Sequence, residues 1–196
     1  FAFTGGNWLL GSTEESTLGH AVWGNVDTQQ LEIEEQHPFH QILEITALTK
    51  QPHSWNAFIR LPSLPVQTGD ALLLVLWVNS LDENHLITHV YELAESPFSK
   101  SLYANAQVQP GWSLWMLPFT AQNENADCHY QLNLGGMAGK IQISAPAILN
   151  FGKKYRTYEL PVISPSLVYE GHEENAAWRE KALQRIEDFR KGELTV

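Results

Sequence analysis

Short apolar runs separated by turn residues are the feature that most constrains the fold of this chain. The runs are rich in Leu, Ile, Val and aromatic residues, which is typical of β-strands. They lie at Leu31–Glu34, Gln41–Ala47, Trp55–Leu61, Ala71–Val78, Leu86–Leu93, Ser113–Phe119, Tyr130–Leu134 and Lys140–Ile143. Turn signals such as Thr68-Gly69-Asp70 and Gln109-Pro110-Gly111 separate them. Because no helical pattern intervenes, we predict an all-β, antiparallel β-sandwich.

The end of the chain follows a different pattern. Its apolar side chains recur at helical spacing, at Trp178, Ala182, Ile186 and Phe189. This spacing predicts a helix over Glu173–Lys191. We therefore divide the chain into a sandwich, residues 1–160, and a linker with a helix, residues 161–196. The last residues resemble the start of another strand, so we expect the chain to be cut from a longer protein.

The charge, hydropathy and cysteine content of the chain limit the classes of partner that we expect. The net charge is −10, from 12 basic and 22 acidic residues, and such a surface repels phosphate backbones. We therefore expect no nucleic-acid partner. The longest apolar run, Ala71–Val78, is too short to span a bilayer, so no membrane partner is predicted. Cys128 is the single cysteine and cannot form an internal disulfide, which fits cytosolic and bacterial secreted proteins alike.

An excess of tryptophan makes sugar binding the main functional hypothesis. The chain has seven tryptophans in 196 residues. An aromatic ring can stack on the apolar face of a pyranose, while planar polar side chains bind the surrounding hydroxyls. The candidate ligand-binding residues are Trp55, Asn56, Arg60, Trp77, Tyr91 and Trp112. Trp115 shares a strand face with Leu117 and Phe119 and is instead expected in the core.

Alternation along one strand also predicts a polar sheet face. His129, Gln131 and Asn133 alternate with Tyr130, Leu132 and Leu134. On the strand Leu86–Leu93, Thr88, Val90 and Glu92 share one face, and Ile87, His89 and Tyr91 share the other.

Motifs for catalysis are weak. The pairs His37/His40 and His85/His89 lack the further ligands that a zinc site needs. The glycine-rich segment at residues 135–139 lacks the Lys-Ser/Thr of a phosphate loop. No segment singles out a pair of carboxylates or a nucleophilic serine. We predict a binding module without catalytic residues, with a lyase or esterase activity of the sandwich itself as an alternative.

Several segments, taken in order, resemble the strands of family 4/9/22-type carbohydrate-binding modules. They are Trp55–Ile59, Thr68–Trp77, Trp112–Phe119, Leu132–Gly135 and Lys140–Ile143, and the resemblance covers roughly residues 20–152. The tail from Tyr169 to Val196 is similar to the segment that leads into the catalytic barrel of family 10 glycoside hydrolases.

This resemblance implies a jelly-roll sandwich with a cleft for a glycan chain, ahead of a xylanase-like barrel. We therefore predict a module that binds a β-linked polysaccharide, xylan or β-glucan, and targets an attached hydrolase to it. A bacterial secreted, periplasmic or cell-surface location is expected. The alternative is a structural sandwich that packs on the barrel without binding sugar.

The resemblance also often implies a structural calcium ion. The sequence Ser144-Ala145-Pro146 stands where these modules usually carry an acidic residue. We therefore predict no cofactor and assign no metal ligand.

Overall fold

A computed structural model describes residues 7–10, 20–32, 38–61, 65–123, 128–164 and 177–190. The strands are β1 Asn7–Leu10, β2 Ala21–Trp23, β3 Val26–Glu32, β4 Gln41–Ala47, β5 Phe58–Leu61, β6 Ala71–Ser80, β7 His85–Leu93, β8 Lys100–Val108, β9 Ser113–Thr120, β10 Cys128–Asn133 and β11 Gly139–Asn150. One α-helix, α1, spans Ala177–Arg190. The strands form two antiparallel sheets, which confirms the predicted β-sandwich.

One sheet has six strands and the other has five. The six-stranded sheet has the order β3-β4-β11-β6-β9, and β1 also pairs with β11. The five-stranded sheet has the order β2-β5-β10-β7-β8. A bulge between Ser144 and Ala147 interrupts β11, and Ala145 there adopts a positive φ of 45°. Before the bulge β11 pairs with β4, and after it β11 pairs with β1.

The core lies between the two sheets. From β6, Leu72, Leu74 and Leu76 point into it and are fully buried. The opposite side chains of β6, which include Leu73, are covered by Phe151 and Leu160 from the segment after β11. Both faces of β6 are therefore buried, which explains its continuous apolar run.

Trp115 lies in this core, as its strand pattern predicted. Its side chain is 2% exposed, and its Nε1 donates a hydrogen bond of 3.0 Å to Ser113 Oγ. Burial of an aromatic side chain of this size contributes about 3 kcal/mol to folding.

Several strands differ from the sequence-based expectation: β3 begins at Val26 instead of Leu31, and β11 extends to Asn150 instead of Ile143. The predicted strand Trp55–Leu61 begins only at Phe58, because Ser54–Asn56 forms a 3₁₀ turn. Strand β8 was not predicted, since two of its inward side chains are alanines, Ala104 and Ala106, which give a weak apolar signal.

Close packing holds the 3₁₀ turn in place. A Cβ atom on Gly24 would clash with the backbone oxygen of Asn56, and one on Gly135 would clash with that of His53. Gly24 also has a positive φ of 79°. The end of β2 therefore fits against the turn only because residue 24 is glycine.

The helix α1 lies within the predicted range Glu173–Lys191, of which residues 173–176 and 191 fall outside the described part of the chain. Within the described residues, no helix combines the length and apolar character needed to cross a bilayer. Ile163 pairs with Met116 of β9, so the chain still contacts the sandwich at that residue. The division into residues 1–160 and 161–196 stays a prediction.

Candidate ligand-binding face

The outer face of the five-stranded sheet carries polar and aromatic side chains in three rows that run across the strands. Registered neighbours of adjacent strands project to the same face. The first row is Trp23, Phe58, Asn133, Thr88 and Asn105. The second row is Arg60, Gln131, Val90 and Tyr103. The third row is His129, Glu92 and Lys100. We call these rows together the polar face.

The first row leads from an exposed indole to hydrogen-bonded polar groups. Trp23 is 64% exposed and stacks beside Phe58, with ring centres 6.4 Å apart and planes 12° apart. At the other end, the Thr88 hydroxyl donates a hydrogen bond of 2.8 Å to Asn105 Oδ1. The edge of the row is thus aromatic, and its middle and far end are polar.

Arg60 is the centre of the second row. Its Nε and Nη2 both donate to Gln131 Oε1, at 3.1 and 2.8 Å. The guanidinium carbon lies 4.9 Å from the centre of the Phe58 ring, which adds a cation–π contact. Gln131 in turn donates from Nε2 to Asn133 Oδ1 at 2.6 Å. Arg60 is therefore held in one orientation by three neighbouring contacts.

The third row combines an ion pair with a neutral histidine. Lys100 Nζ lies 2.9 Å from Glu92 Oε2. His129 Nε2 lies 3.8 Å from Glu92 Oε1, too far for a hydrogen bond. Burial, and then the positive charge of Arg60, lower the pKa of His129 to about 4. The imidazole is therefore uncharged at neutral pH, and the Glu92 charge is compensated by Lys100.

The polar face has an exposed aromatic side chain near each of its two edges. Strands are spaced about 4.8 Å apart, so Trp23 on β2 and Tyr103 on β8 lie roughly 19 Å apart across the sheet. Both side chains are more than half exposed and can stack on sugar rings. Between them, the part-exposed guanidinium of Arg60 can hydrogen-bond to hydroxyls, whereas the amides of Gln131 and Asn133 are each only 3% exposed and serve to hold it in place.

Three of the six candidate residues lie together at β5. Arg60 is on the polar face itself. Trp55 and Asn56 lie in the 3₁₀ turn that leads into β5, and Trp55 is 54% exposed. The indole of Trp55 stacks flat on His53, with ring centres 4.5 Å apart. These residues stay candidates for the site.

Trp77 and Trp112 lie on the other side of the sandwich. Trp77 is on the outer face of β6, and Trp112 immediately precedes β9. Both rings contact Phe39, with centres 5.7 and 4.7 Å away. They form a half-buried aromatic cluster that cannot join Arg60 in one site.

The prediction that Tyr91 binds ligand is wrong. Its side chain is fully buried in the core, 5.3 Å from the Phe119 ring. The reason is the register of β7: Thr88, Val90 and Glu92 point to the polar face, so His89 and Tyr91 point inward.

Sequence reasoning did not propose Trp23, Phe58 or Tyr103 as ligand-binding residues. The polar face of β10 was predicted from its alternation, and that alternation is confirmed. The same signal is present on β8, where Tyr103, Asn105 and Gln107 alternate with small apolar residues.

Ser80, Asp82 and His85 form a polar cluster at the β6–β7 hairpin, but its order does not suit nucleophilic catalysis. The Asp82 carboxylate lies between the other two, 3.3 Å from Ser80 Oγ and 2.5 Å from His85 Nε2. A catalytic triad needs the histidine between the serine and the acid. Ser80 Oγ donates instead to the backbone oxygen of Glu83, so the cluster closes the turn.

The prediction that no metal is bound stays a prediction, and two described positions bear on it. Ser144 stands where the modules that this sequence resembles usually carry an acidic residue, and its hydroxyl donates to the Gln41 backbone oxygen at 2.5 Å. The buried carboxylate of Asp70 accepts hydrogen bonds from Asn150 and from the Gln67 backbone. No cluster of three or more acidic, His or Cys side chains suited to a metal is found among the described residues.

Comparison with known proteins defines the fold. No family model matches the sequence, and no curated protein matches it. The xylan-binding CBM22-1 domain of Paenibacillus barcinonensis Xyn10C is similar in structure, with a TM-score of 0.54 and 16% identity over 77% of this chain and 99% of that one. The second cellulose-binding domain of Cellulomonas fimi β-1,4-glucanase C gives 0.53 and 13%, over 72% and 91%.

A third similar structure holds such a domain next to an enzyme. It is the CBM22-1–GH10 fragment of Clostridium thermocellum xylanase 10B, with xylohexaose bound, at a TM-score of 0.56 and 10% identity. The similarity covers 72% of this chain and 28% of that one. The chain therefore has the β-sandwich fold of carbohydrate-binding modules.

Proposed function

We propose that this chain is a non-catalytic carbohydrate-binding module whose polar face holds a β-linked polysaccharide, xylan or β-glucan. The observation that carries the proposal is the part-exposed Arg60, which the buried amides of Gln131 and Asn133 hold between two exposed aromatic side chains, Trp23 and Tyr103. Aromatic rings supply stacking, and fixed polar groups supply orientation, which are the two needs of a site for neutral sugars.

The proposal extends to a targeting role for an attached family-10-like glycoside hydrolase in a secreted, periplasmic or cell-surface bacterial protein. Support comes from the similar Clostridium thermocellum structure, in which a module of this fold adjoins a GH10 domain. Tethering keeps an enzyme near its polymer by raising the effective concentration. The module needs only modest affinity for this purpose.

The first test is affinity electrophoresis in gels that contain xylan, β-glucan or mannan. We expect at least one polymer to retard the protein. Trp23→Ala should lose most of this retardation, because it removes the most exposed ring of the polar face. Trp178→Ala is the matched control, since Trp178 is also exposed but lies on α1. Unretarded wild type in every gel would refute the sugar-binding proposal.

A structural role is the second candidate, and the aromatic cluster on the six-stranded sheet favours it. Phe39, Trp77 and Trp112 form an apolar surface on the side opposite the polar face. Such a surface could pack on a catalytic barrel. If Trp77→Ala leaves retardation unchanged while Trp23→Ala removes it, sugar binding belongs to the polar face and not to this cluster.

A further inference from the structure

Arg60 carries a positive charge, and no carboxylate among the described residues lies within ion-pair distance of it. Within the part of the chain that the structure describes, the ion pairs involve Asp82, Glu92 and Glu44, and none involves Arg60. Its neighbours Gln131 and Phe58 are uncharged. A half-buried cation without a counter-ion is costly, which is unusual in a protein of net charge −10.

The other charged groups of the polar face cancel. Glu92 is paired with Lys100 at 2.9 Å, and His129 is uncharged at neutral pH because burial and the nearby Arg60 lower its pKa to about 4. The polar face therefore has a local net charge of one unit, on Arg60.

The guanidinium is also oriented in advance. Its contacts with Gln131 involve two of the five N–H groups of an arginine, so further donors remain for a ligand. The planar fork matches the two oxygens of a carboxylate. Because Gln131 and Phe58 already fix the side chain, little conformational entropy is lost when a ligand binds.

We propose that Arg60 binds the carboxylate of a uronic acid unit carried by an otherwise mostly neutral glycan, with the neutral units lying over the rest of the polar face. This inference rests on the proposed function and specifies its ligand class. The overall charge of −10 repels a continuous polyanion, so a sparsely substituted glycan fits better than a polyuronate.

The test compares one polymer with its carboxyl-reduced form. Xylan substituted with glucuronic acid is used in affinity gels beside the same xylan after its carboxyl groups are reduced to alcohols. This change removes the charge and leaves the backbone intact. We expect wild type to bind the native polymer roughly tenfold more tightly than the reduced one, because a charge-assisted pair replaces neutral hydrogen bonds.

Three variants locate the effect. Arg60→Gln should bind the native and the reduced polymer about equally, with the larger loss for the native one, because Arg60 can also donate to hydroxyls of the neutral units. Arg60→Lys keeps the charge without the planar fork and should retain part of the preference. Lys153→Gln is the control, since it removes one positive charge from an exposed turn outside the polar face and should keep the full preference. Thermal unfolding checks that each variant is folded.

Each outcome separates the inference from the proposed function. Equal wild-type affinity for both forms overturns the inference and leaves sugar binding intact. The inference is also overturned if Arg60→Gln loses affinity for the native and the reduced xylan by the same factor, because Arg60 would then contact hydroxyls only. Retardation by a neutral polymer but by neither form of the substituted xylan also overturns it. Tighter binding of polygalacturonate than of the substituted xylan contradicts the sparse-charge ligand. No retardation by any polymer refutes the proposed function itself.

Discussion

Arg60 and Gln131 lie opposite each other on neighbouring strands, and two N–H groups of the arginine share the one side-chain oxygen of the glutamine. The change Gln131→Glu keeps the size of the side chain and gives Arg60 a counter-ion. We expect this variant to lose the roughly tenfold preference for the glucuronic-acid-substituted form over its reduced form, since the cation is then neutralised. Affinity gels with native and carboxyl-reduced polymer measure this ratio, and an undiminished preference would argue against Arg60 as the carboxylate ligand.

Two tyrosines at nearby positions should respond oppositely to truncation. Tyr91 is fully buried in the core, whereas Tyr103, on the next strand, is 51% exposed on the polar face. Tyr91→Ala should reduce the free energy of unfolding by about 3–5 kcal/mol. Tyr103→Ala should leave it within about 0.5 kcal/mol of wild type and weaken retardation by polysaccharide. Urea unfolding and affinity electrophoresis give the two readouts, and a folded, stable Tyr91→Ala would contradict the placement of that ring.

Stability should fall in mild acid because of His89. Burial lowers the pKa of His89 to about 3, from an ordinary value of 6.5, and its ring is enclosed by Tyr130 and Trp115. Below pH 6.5 the His89 side chain binds a proton in the unfolded chain but not in the folded protein. Stability is therefore lost as the pH falls from 6.5 toward 3. The expected loss by pH 5 is about 2 kcal/mol.

Urea unfolding between pH 7.5 and pH 5 measures this loss. The variant His89→Gln should have a shallower dependence on pH, because one of the responsible groups is gone. Some dependence should remain, since burial also lowers the pKa of His129. Identical pH dependence in wild type and variant would show that His89 is not the group involved.

Gly24 should tolerate alanine much less well than Gly152. Both have a positive φ, 79° and 61°, so both substitutions incur a backbone cost of about 1–2 kcal/mol. A Cβ on Gly24 also meets the Asn56 backbone, whereas one on Gly152 meets nothing within 4 Å. We therefore expect Gly24→Ala to lower the free energy of unfolding clearly more than Gly152→Ala. Equal losses would mean that β2 can move away from the 3₁₀ turn at little cost.

The sandwich was predictable because its core strands repeat apolar residues at short, regular spacing. Gln41–Ala47 was predicted with its observed bounds, and Ala71–Val78 matches most of β6. The polar face of β10 was also predicted, since His129, Gln131 and Asn133 leave no apolar residue on that side. These signals are local, so a single strand suffices to reveal them.

The grouping of the site could not be predicted, because it depends on which strands become neighbours. On β7 both faces carry polar or aromatic residues, and only the pairing of Tyr130 with Tyr91 shows which face is inside. Trp77 and Trp112 satisfy the same local criteria as Trp55, yet they belong to the other sheet. Strand order, which brings distant segments together, separates them.

The strands of the polar face alternate between two tasks at every residue. On β5, Arg60 stands between Ile59 and Leu61, and on β10, Gln131 stands between Tyr130 and Leu132. Along these strands, side chains of the core and side chains of the polar face therefore alternate with a period of two residues. Point substitutions can change the polar face while the core stays intact, but inserting or deleting one residue would exchange the two sets of side chains and disrupt both at once. Ligand preference in this sandwich can therefore evolve by replacement within the strands, while changes in length are confined to the loops.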